Sequence, residues 1–103
     1  MFVSDLNVDR GQLADLCERF GVTRLEVFGS FAQGTAGEDS DVDVLVTFGA
    51  GESQGLQFFE LEARLADILG RDVDLHERAS IEKSPNKYFR RFALEQVEEL
   101  YAA

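Results

Sequence analysis

This sequence is short of positive charge and of cysteine. Ten Lys and Arg stand against twenty Asp and Glu, a formal net charge of -10 over 103 residues. Duplex nucleic acids are bound largely through Lys and Arg contacts to phosphates, so a duplex is excluded as the main partner and no strong nucleic-acid binding is expected. A single cysteine, Cys17, excludes an internal disulfide and a cysteine-based zinc knuckle, and it fits a reducing cytoplasm. No apolar run approaches the roughly 20 residues needed to cross a bilayer, so no membrane association is expected. Residues 1–10 carry neither the basic start nor the apolar stretch of a secretion signal. At 45% hydrophobic and 29% charged, the composition is that of a globular chain rather than a disordered one. A length of 103 residues leaves no room for a second core, so residues 1–103 are expected to form one domain.

The scarce cations are unevenly spread. From Arg78 to Arg91 there are five, Arg78, Lys83, Lys87, Arg90 and Arg91, against the single acid Glu82. That segment is +4, which leaves -14 for the rest of a chain whose total is -10. A solvated helix face accounts for it, and so does a local contact for an acidic surface or a nucleotide phosphate.

Leu13, Leu16, Cys17 and Phe20 recur at helical spacing and predict a helix from about Asp9 to Phe20, with Asp9 as its cap and Gly21 as its stop. Arg24 to Phe28 reads as a strand cut off by Gly29, and Phe31 to Gly34 as a short helical turn. Val42 to Phe48 is the clearest strand. Val42, Val44, Val46 and Phe48 share one face, and Asp41, Asp43, Leu45 and Thr47 the other. A glycine-rich loop over residues 49–55 leads to a helix from Leu56 to Leu69, with Phe58, Leu61, Leu65 and Ile68 as its core stripe. Val73 to His76 is a short third strand, with Asp72, Asp74 and His76 on one side. Pro85 opens a last helix whose stripe runs through Phe89, Phe92, Ala93, Val97 and Leu100. The order predicts an α+β fold: a small mixed sheet of three strands, or slightly more, covered by helices.

Two features carry chemistry. Asp41 and Asp43 project from one face of a strand, with Cα atoms about 6.5 Å apart. Like charges so close do nothing for a fold, but a divalent cation reverses the sign of that argument. Two such ions about 3.5–4 Å apart clamp the attacking and leaving oxygens in phosphoryl-transfer sites. Asp74 on another strand supplies a third carboxylate. Taken alone, Asp-Val-Asp fits a half-exposed edge strand equally well. Gly29-Ser30 ends a strand at the start of a helical turn, where free amides and a hydroxyl can hold phosphate oxygens and glycine lets the backbone come close. Taken alone, it is an ordinary strand-to-helix turn. It is not a Walker loop, because Thr35 stands where that motif requires lysine, and no dinucleotide G-x-G is present.

In combination the pattern is specific: a strand, Gly-Ser, ten residues, then Asp-x-Asp on a hydrophobic strand. It resembles the signature of the DNA polymerase beta-type nucleotidyltransferase superfamily, and within it the minimal nucleotidyltransferase (MNT) group of single small domains. The segments 27–34 and 39–46 carry most of the resemblance, Gly70-Arg71-Asp72-Val73-Asp74-Leu75 is similar to the family's third-carboxylate strand, and residues 90–101 resemble its C-terminal helix. The resemblance implies the nucleotidyltransferase fold, ATP as substrate and Mg²⁺, two ions, as cofactor. It implies that Gly29, Ser30 and Ser40 hold the nucleotide. Asp41, Asp43 and Asp74 would be the metal ligands and catalytic residues, with Asp74 helping to deprotonate the attacking hydroxyl. One departure stands out: related chains commonly have arginine where this one has Gln33.

The resemblance further implies an antitoxin of a toxin–antitoxin pair, whose partner is a HEPN-domain ribonuclease toxin modified by AMP on a tyrosine. A domain of this size has the metal and nucleotide half of a site and little material for an acceptor pocket. The alternative is a non-catalytic antitoxin that blocks its partner by contact. The three aspartates favour the enzyme, since a pure binder has no use for like charges on one face. Gln33 and the acidic surface are compatible with the binder. Modification of a small molecule or of tRNA is disfavoured, because the first would need an added substrate domain and the second more basic surface. A homo-oligomer is left open. Cys17 is expected in the core, and Phe31 and Phe59 either in the core or, if both are exposed, on a partner surface.

Overall fold

In a computed structural model, the chain is described over residues 1–50 and 55–103. Helix α1 (Arg10–Phe20) starts where the Asp9 carboxylate accepts from the Gln12 amide, and it ends at Gly21 in the left-handed conformation. It leads directly into strand β1 (Val22–Phe28), the turn α2 (Ser30–Gln33) and strand β2 (Val42–Phe48). Helix α3 (Gly55–Leu69) connects β2 to β3 (Val73–Glu77), and the short helices α4 (Arg78–Glu82) and α5 (Lys87–Glu95) precede a last strand, β4 (Glu98–Ala102). The expected glycine-rich loop falls largely on residues 51–54, outside the described residues.

The four strands form one mixed sheet in the order β3-β2-β1-β4. β1 pairs antiparallel with β2 and β4, whereas β2 and β3 are parallel. A parallel pair needs a crossover of a dozen or more residues, and the 15-residue α3 provides it. One sheet face carries the main core: Leu25, Val27, Val42, Val44, Val46 and Leu75 pack against Leu13, Leu16, Cys17 and Phe20 of α1 and Leu61, Leu65 and Leu69 of α3. An irregularity between Val22 and Arg24 shifts the register by one, which lets Val22 and Leu25 face the same core. The expected core place of Cys17 is borne out, and burial pushes its thiol up to about 12. Phe31 is wholly buried while Phe59 is 66% exposed, so the two do not form an exposed pair.

The opposite sheet face is covered over only part of its area. There Phe28 and Leu45 pack against Ile81 of α4 and Ala93 of α5. Beside them Glu26, buried at 6% exposure, accepts a 2.8 Å hydrogen bond from Arg78. Among the described residues no helix is long and apolar enough to cross a membrane.

Two expectations need correction. The last helix was expected to run through Val97 and Leu100, in keeping with the resemblance of residues 90–101 to a C-terminal helix. It ends at Glu95, Gln96 is extended, and residues 98–102 are a strand. A helix through this stretch would place Glu95, Glu98 and Glu99 in its last turns, against the negative end of the helix dipole. The open edge of β1 would meanwhile lack partners for its amides and carbonyls. Pairing β4 along β1 resolves both, and it brings Leu100 into the main core. The second correction concerns the expected element order, which passes from the third strand straight to the last helix: the five-residue α4 lies between them.

Candidate active site

The sequence signals converge where β1, β2 and β3 lie side by side. β1 ends at Phe28, directly paired with Asp43, and Asp43 is in turn paired with Asp74 across the parallel β2–β3 ladder. Adjacent strands lie about 4.8 Å apart, so the two carboxylates project from neighbouring positions on the open face. Asp41 lies one residue ahead of β2, exposed, at the end of the loop from α2.

Gly29 follows Phe28 with φ +71° and ψ -144°, a conformation nearly confined to glycine. A Cβ at this position would overlap Asp43 Oδ2. The carboxylate therefore rests against bare backbone. The next residues, Ser30 and Phe31, open α2, where the first amides have no acceptor within the helix. Gly29-Ser30 and Asp43 are thus one place in the molecule, as the sequence pattern implies. Phe31 itself is buried, so it fixes the turn and does not line the site.

Electrostatics single out Asp43. Its partial burial, together with the charges of Asp74 and Asp41, raises its carboxyl above the ordinary carboxylate range, and His76 opposes the shift. Asp74 accepts a 3.0 Å contact from His76 Nε2. The His76 ring lies edge-on between Phe28 and Phe89, with centroid distances of 5.7 Å and 6.1 Å. His76 thus belongs to the site edge, a placement its strand position allowed.

The donor set is chemically suited to Mg²⁺. It consists of carboxylate oxygens, it is open to water, and its members repel one another in a way a divalent cation would relieve. Among the described residues no three His, Cys, Asp or Glu side chains gather into a ready-made metal cage. One or two carboxylates plus water and phosphate oxygens are the usual Mg²⁺ arrangement, and Asp43 with its neighbours fits that pattern.

Ser40 is placed differently from the other candidates. Its hydroxyl accepts from the Gly37 amide at 2.8 Å and closes the turn that precedes Asp41. Gln33 is exposed on α2. Of the five cations in the segment 78–91, four are engaged within the chain: Arg78 with Glu26 and Glu82, Lys87 with the Tyr88 ring, Arg90 with the Ser84 carbonyl, and Arg91 with Glu95. A surface depression of about 680 Å³ on α5 is lined by Lys87, Tyr88, Arg90, Arg91, Leu94 and Glu95, none of them a candidate site residue.

One residue escaped the sequence reading. Arg71 Nη1 donates to the carbonyls of Gly37 (2.9 Å), Glu38 (2.8 Å) and Ser40 (3.2 Å), and its guanidinium lies 5.1 Å from the Phe31 ring centroid. Its only signal was a lone cation beside Gly70 in an acidic stretch.

Comparison with known proteins agrees with this geometry. The family model described as nucleotidyltransferase domain matches residues 10–99. The protein adenylyltransferase MntA of Thermococcus cleftensis is 51% identical over 67 residues, covering 65% of this chain and 67% of that protein. A solved structure assigned as a minimal nucleotidyltransferase superposes with a TM-score of 0.70 at 35% identity, covering 95% of both chains. A complex of a tri-AMPylated Shewanella oneidensis HEPN toxin with an MNT antitoxin shares the fold, with a TM-score of 0.57 at 21% identity over 90% of this chain and 69% of that one.

Proposed function

This chain belongs to the nucleotidyltransferase domain family, and on that premise we propose that it is the antitoxin of a toxin–antitoxin pair, transferring AMP from ATP to a tyrosine of a HEPN-domain toxin. The observation that carries the reading is the seat of Asp43: pressed against the bare backbone of Gly29, paired with Asp74, and raised in pKa by its partial burial and then by both neighbouring aspartates. An Asp pair at the end of a strand, touching a Gly-Ser turn, has no structural task that other residues would not perform better. The adenylyltransferase name of the Thermococcus relative supports AMP as the transferred group. The HEPN complex supports the class of partner.

In this reading residues 1–103 act as one minimal nucleotidyltransferase domain in the cytoplasm. Gly29 and Ser30 hold the triphosphate through backbone amides and the serine hydroxyl. Ser40 serves the nucleotide indirectly, by shaping the turn that presents Asp41. Asp41, Asp43 and Asp74 hold Mg²⁺, which supplies charge neutralisation for the triphosphate and the leaving pyrophosphate. The tyrosine oxygen attacks the α-phosphorus of ATP. A new P–O bond forms, the bond to the β-phosphate oxygen breaks, pyrophosphate leaves, and the phenolic proton is released toward Asp74. His76 Nε2, 3.0 Å from Asp74 Oδ2, fixes the orientation of that carboxylate.

The test is direct. The chain is incubated with a purified HEPN-domain toxin encoded beside it, ATP and Mg²⁺, and the toxin is weighed by mass spectrometry. A gain of one or more adenylyl groups is expected, and it disappears in Asp41→Asn/Asp43→Asn. No gain, with toxin inhibition unchanged in that variant, sinks the enzyme and leaves a binding antitoxin.

A further inference from the structure

The loop between α2 and β2 is held differently in its two halves. The first half is anchored: the Met1 ammonium donates to the carbonyls of Gly34 (3.2 Å) and Ala36 (2.7 Å), and Ala36 is buried in the main core. The second half, residues 37–41, is closed by two local bonds, Gly37 N–H to Ser40 Oγ and Ser40 N–H to the Gly37 carbonyl. Such a segment has high conformational entropy, yet it ends on Asp41. The carbonyls of Gly37, Glu38 and Ser40 turn toward one point, and that point is Arg71 Nη1. The same guanidinium lies over the ring of Phe31, two residues after Gly29, and Arg71 is three residues before Asp74. The Val42 amide donates to the Asp72 carbonyl at 2.9 Å, which ties the loop end to the same crossover. One side chain therefore touches, or stands next to, all three sequence segments that build the site.

We infer that Arg71 is a positioning residue for nucleotidyl transfer, holding the Gly37–Ser40 turn so that Asp41 is presented beside Asp43 and Asp74. The inference rests on the reading of Asp41 as a metal-site carboxylate, and on three backbone carbonyls gathered on one nitrogen of a planar guanidinium that also lies over the Phe31 ring. Charge-assisted bonds to backbone carbonyls are stronger than neutral ones, and the partly buried ring contact adds to them. In this role Arg71 acts through the turn rather than on the nucleotide.

The test uses Arg71→Met, which keeps the apolar stem and removes the guanidinium, and Arg71→Lys, which keeps the charge. Amide exchange is followed by NMR at Gly37 and Ser40, with the β1–β2 ladder as internal reference. Arg71→Met is expected to speed exchange at those two amides by about tenfold and leave the ladder unchanged, because charged hydrogen bonds are lost only in the turn. Unchanged exchange at Gly37 and Ser40 overturns the inference, whatever the protein does with ATP. The Mg²⁺ concentration giving half-maximal ATP binding is expected to rise about tenfold in Arg71→Met, as for other residues that orient metal ligands, with partial recovery in Arg71→Lys. An unchanged Mg²⁺ requirement in a folded variant also overturns it. Should the wild-type chain bind no ATP with Mg²⁺, the proposed function fails instead, and the exchange experiment still decides the role of Arg71.

Discussion

The two faces of the sheet are built on different rules. The face toward α1 and α3 is apolar throughout, from Leu25 and Val44 to Leu61 and Leu65. The opposite face alternates apolar cover, Phe28 and Leu45 under Ile81 and Ala93, with charge: Glu26, Asp43 and Asp74. Both faces come from the same strands, so neighbouring residues of β2 do opposite things. Val42 and Val44 are fully buried in the main core, and Asp43 between them is half-buried among other carboxylates. The difference teaches that the first face sets stability and the second is free to carry charge that stability alone would not select.

That division can be broken by substitution. The largest loss of stability belongs to the apolar face. Leu65 has no exposure, and Leu65→Ala should cost about 3 kcal/mol in urea unfolding. ATP binding by the remaining folded protein should be unchanged. A lost nucleotide site in a folded Leu65→Ala protein would show that the two faces are coupled after all.

Next comes a charged pair that belongs to the open face yet acts like core. Glu26 has 8% side-chain exposure and Arg78 24%, joined at 2.8 Å. Arg78→Met strands a buried carboxylate and should cost about 2 kcal/mol, less than for a wholly buried pair because part of the arginine reaches solvent. Adding Glu26→Gln should recover most of that loss. Full additivity of the two substitutions would refute the pairing as the cause. The open face thus holds two kinds of charge, one paired and structural, the other, at Asp43, without an ion-pair partner among the described residues.

Gly29→Ala comes third in stability, at about 1–2 kcal/mol, since alanine strains a backbone at φ +71°. Its effect on chemistry should be the larger one. The methyl would displace the Asp43 carboxylate, and a shift of about 1 Å can cost about 100-fold in rate. Transfer at the wild-type rate would mean that Asp43 does not need its seat on Gly29.

Much of this arrangement was legible in the sequence because its signals are local. The alternation of Val42, Val44 and Val46 with Asp41, Asp43 and Leu45 marks a strand with one chemical face. Asp9 and Gly21 bracket α1 by rules that act within one turn. The minimal nucleotidyltransferase fold followed from motif order, and the mixed four-stranded sheet agrees with it. The features that were not legible depend on distant partners. Residues 98–102 carry a helical stripe, and they form a strand because β1, some seventy positions earlier, has an open edge. Arg71 looks like a surface cation until the carbonyls of Gly37, Glu38 and Ser40 are brought around it. The Ser40 hydroxyl accepts from an amide three residues away, a role in the turn that its place in the motif did not show.

The smallest expected effect on stability is also the one with the opposite sign. Asp43 titrates above the ordinary carboxylate range in the folded chain, so the folded state holds that proton more tightly than the unfolded state. Below the ordinary range both states are protonated, and Asp43 costs nothing. As pH rises through the raised folded value the cost of ionising it among Asp74 and Asp41 appears in full, and it persists at neutral pH. Asp43→Asn keeps the shape of the protonated acid. The variant should therefore melt slightly above wild type at pH 7, and the gap should close at about pH 3, where unperturbed carboxyls are protonated. Mg²⁺ should raise the melting temperature of the wild type at pH 7 and do little for the variant, since a ligand stabilises only the state that binds it. Equal melting of the two proteins at pH 7 would place no strain at Asp43, and the contrast between the two faces would then rest on composition alone. A variant that is more stable, inert to Mg²⁺ and inactive would mean that the open face keeps a carboxylate the fold would be better off without.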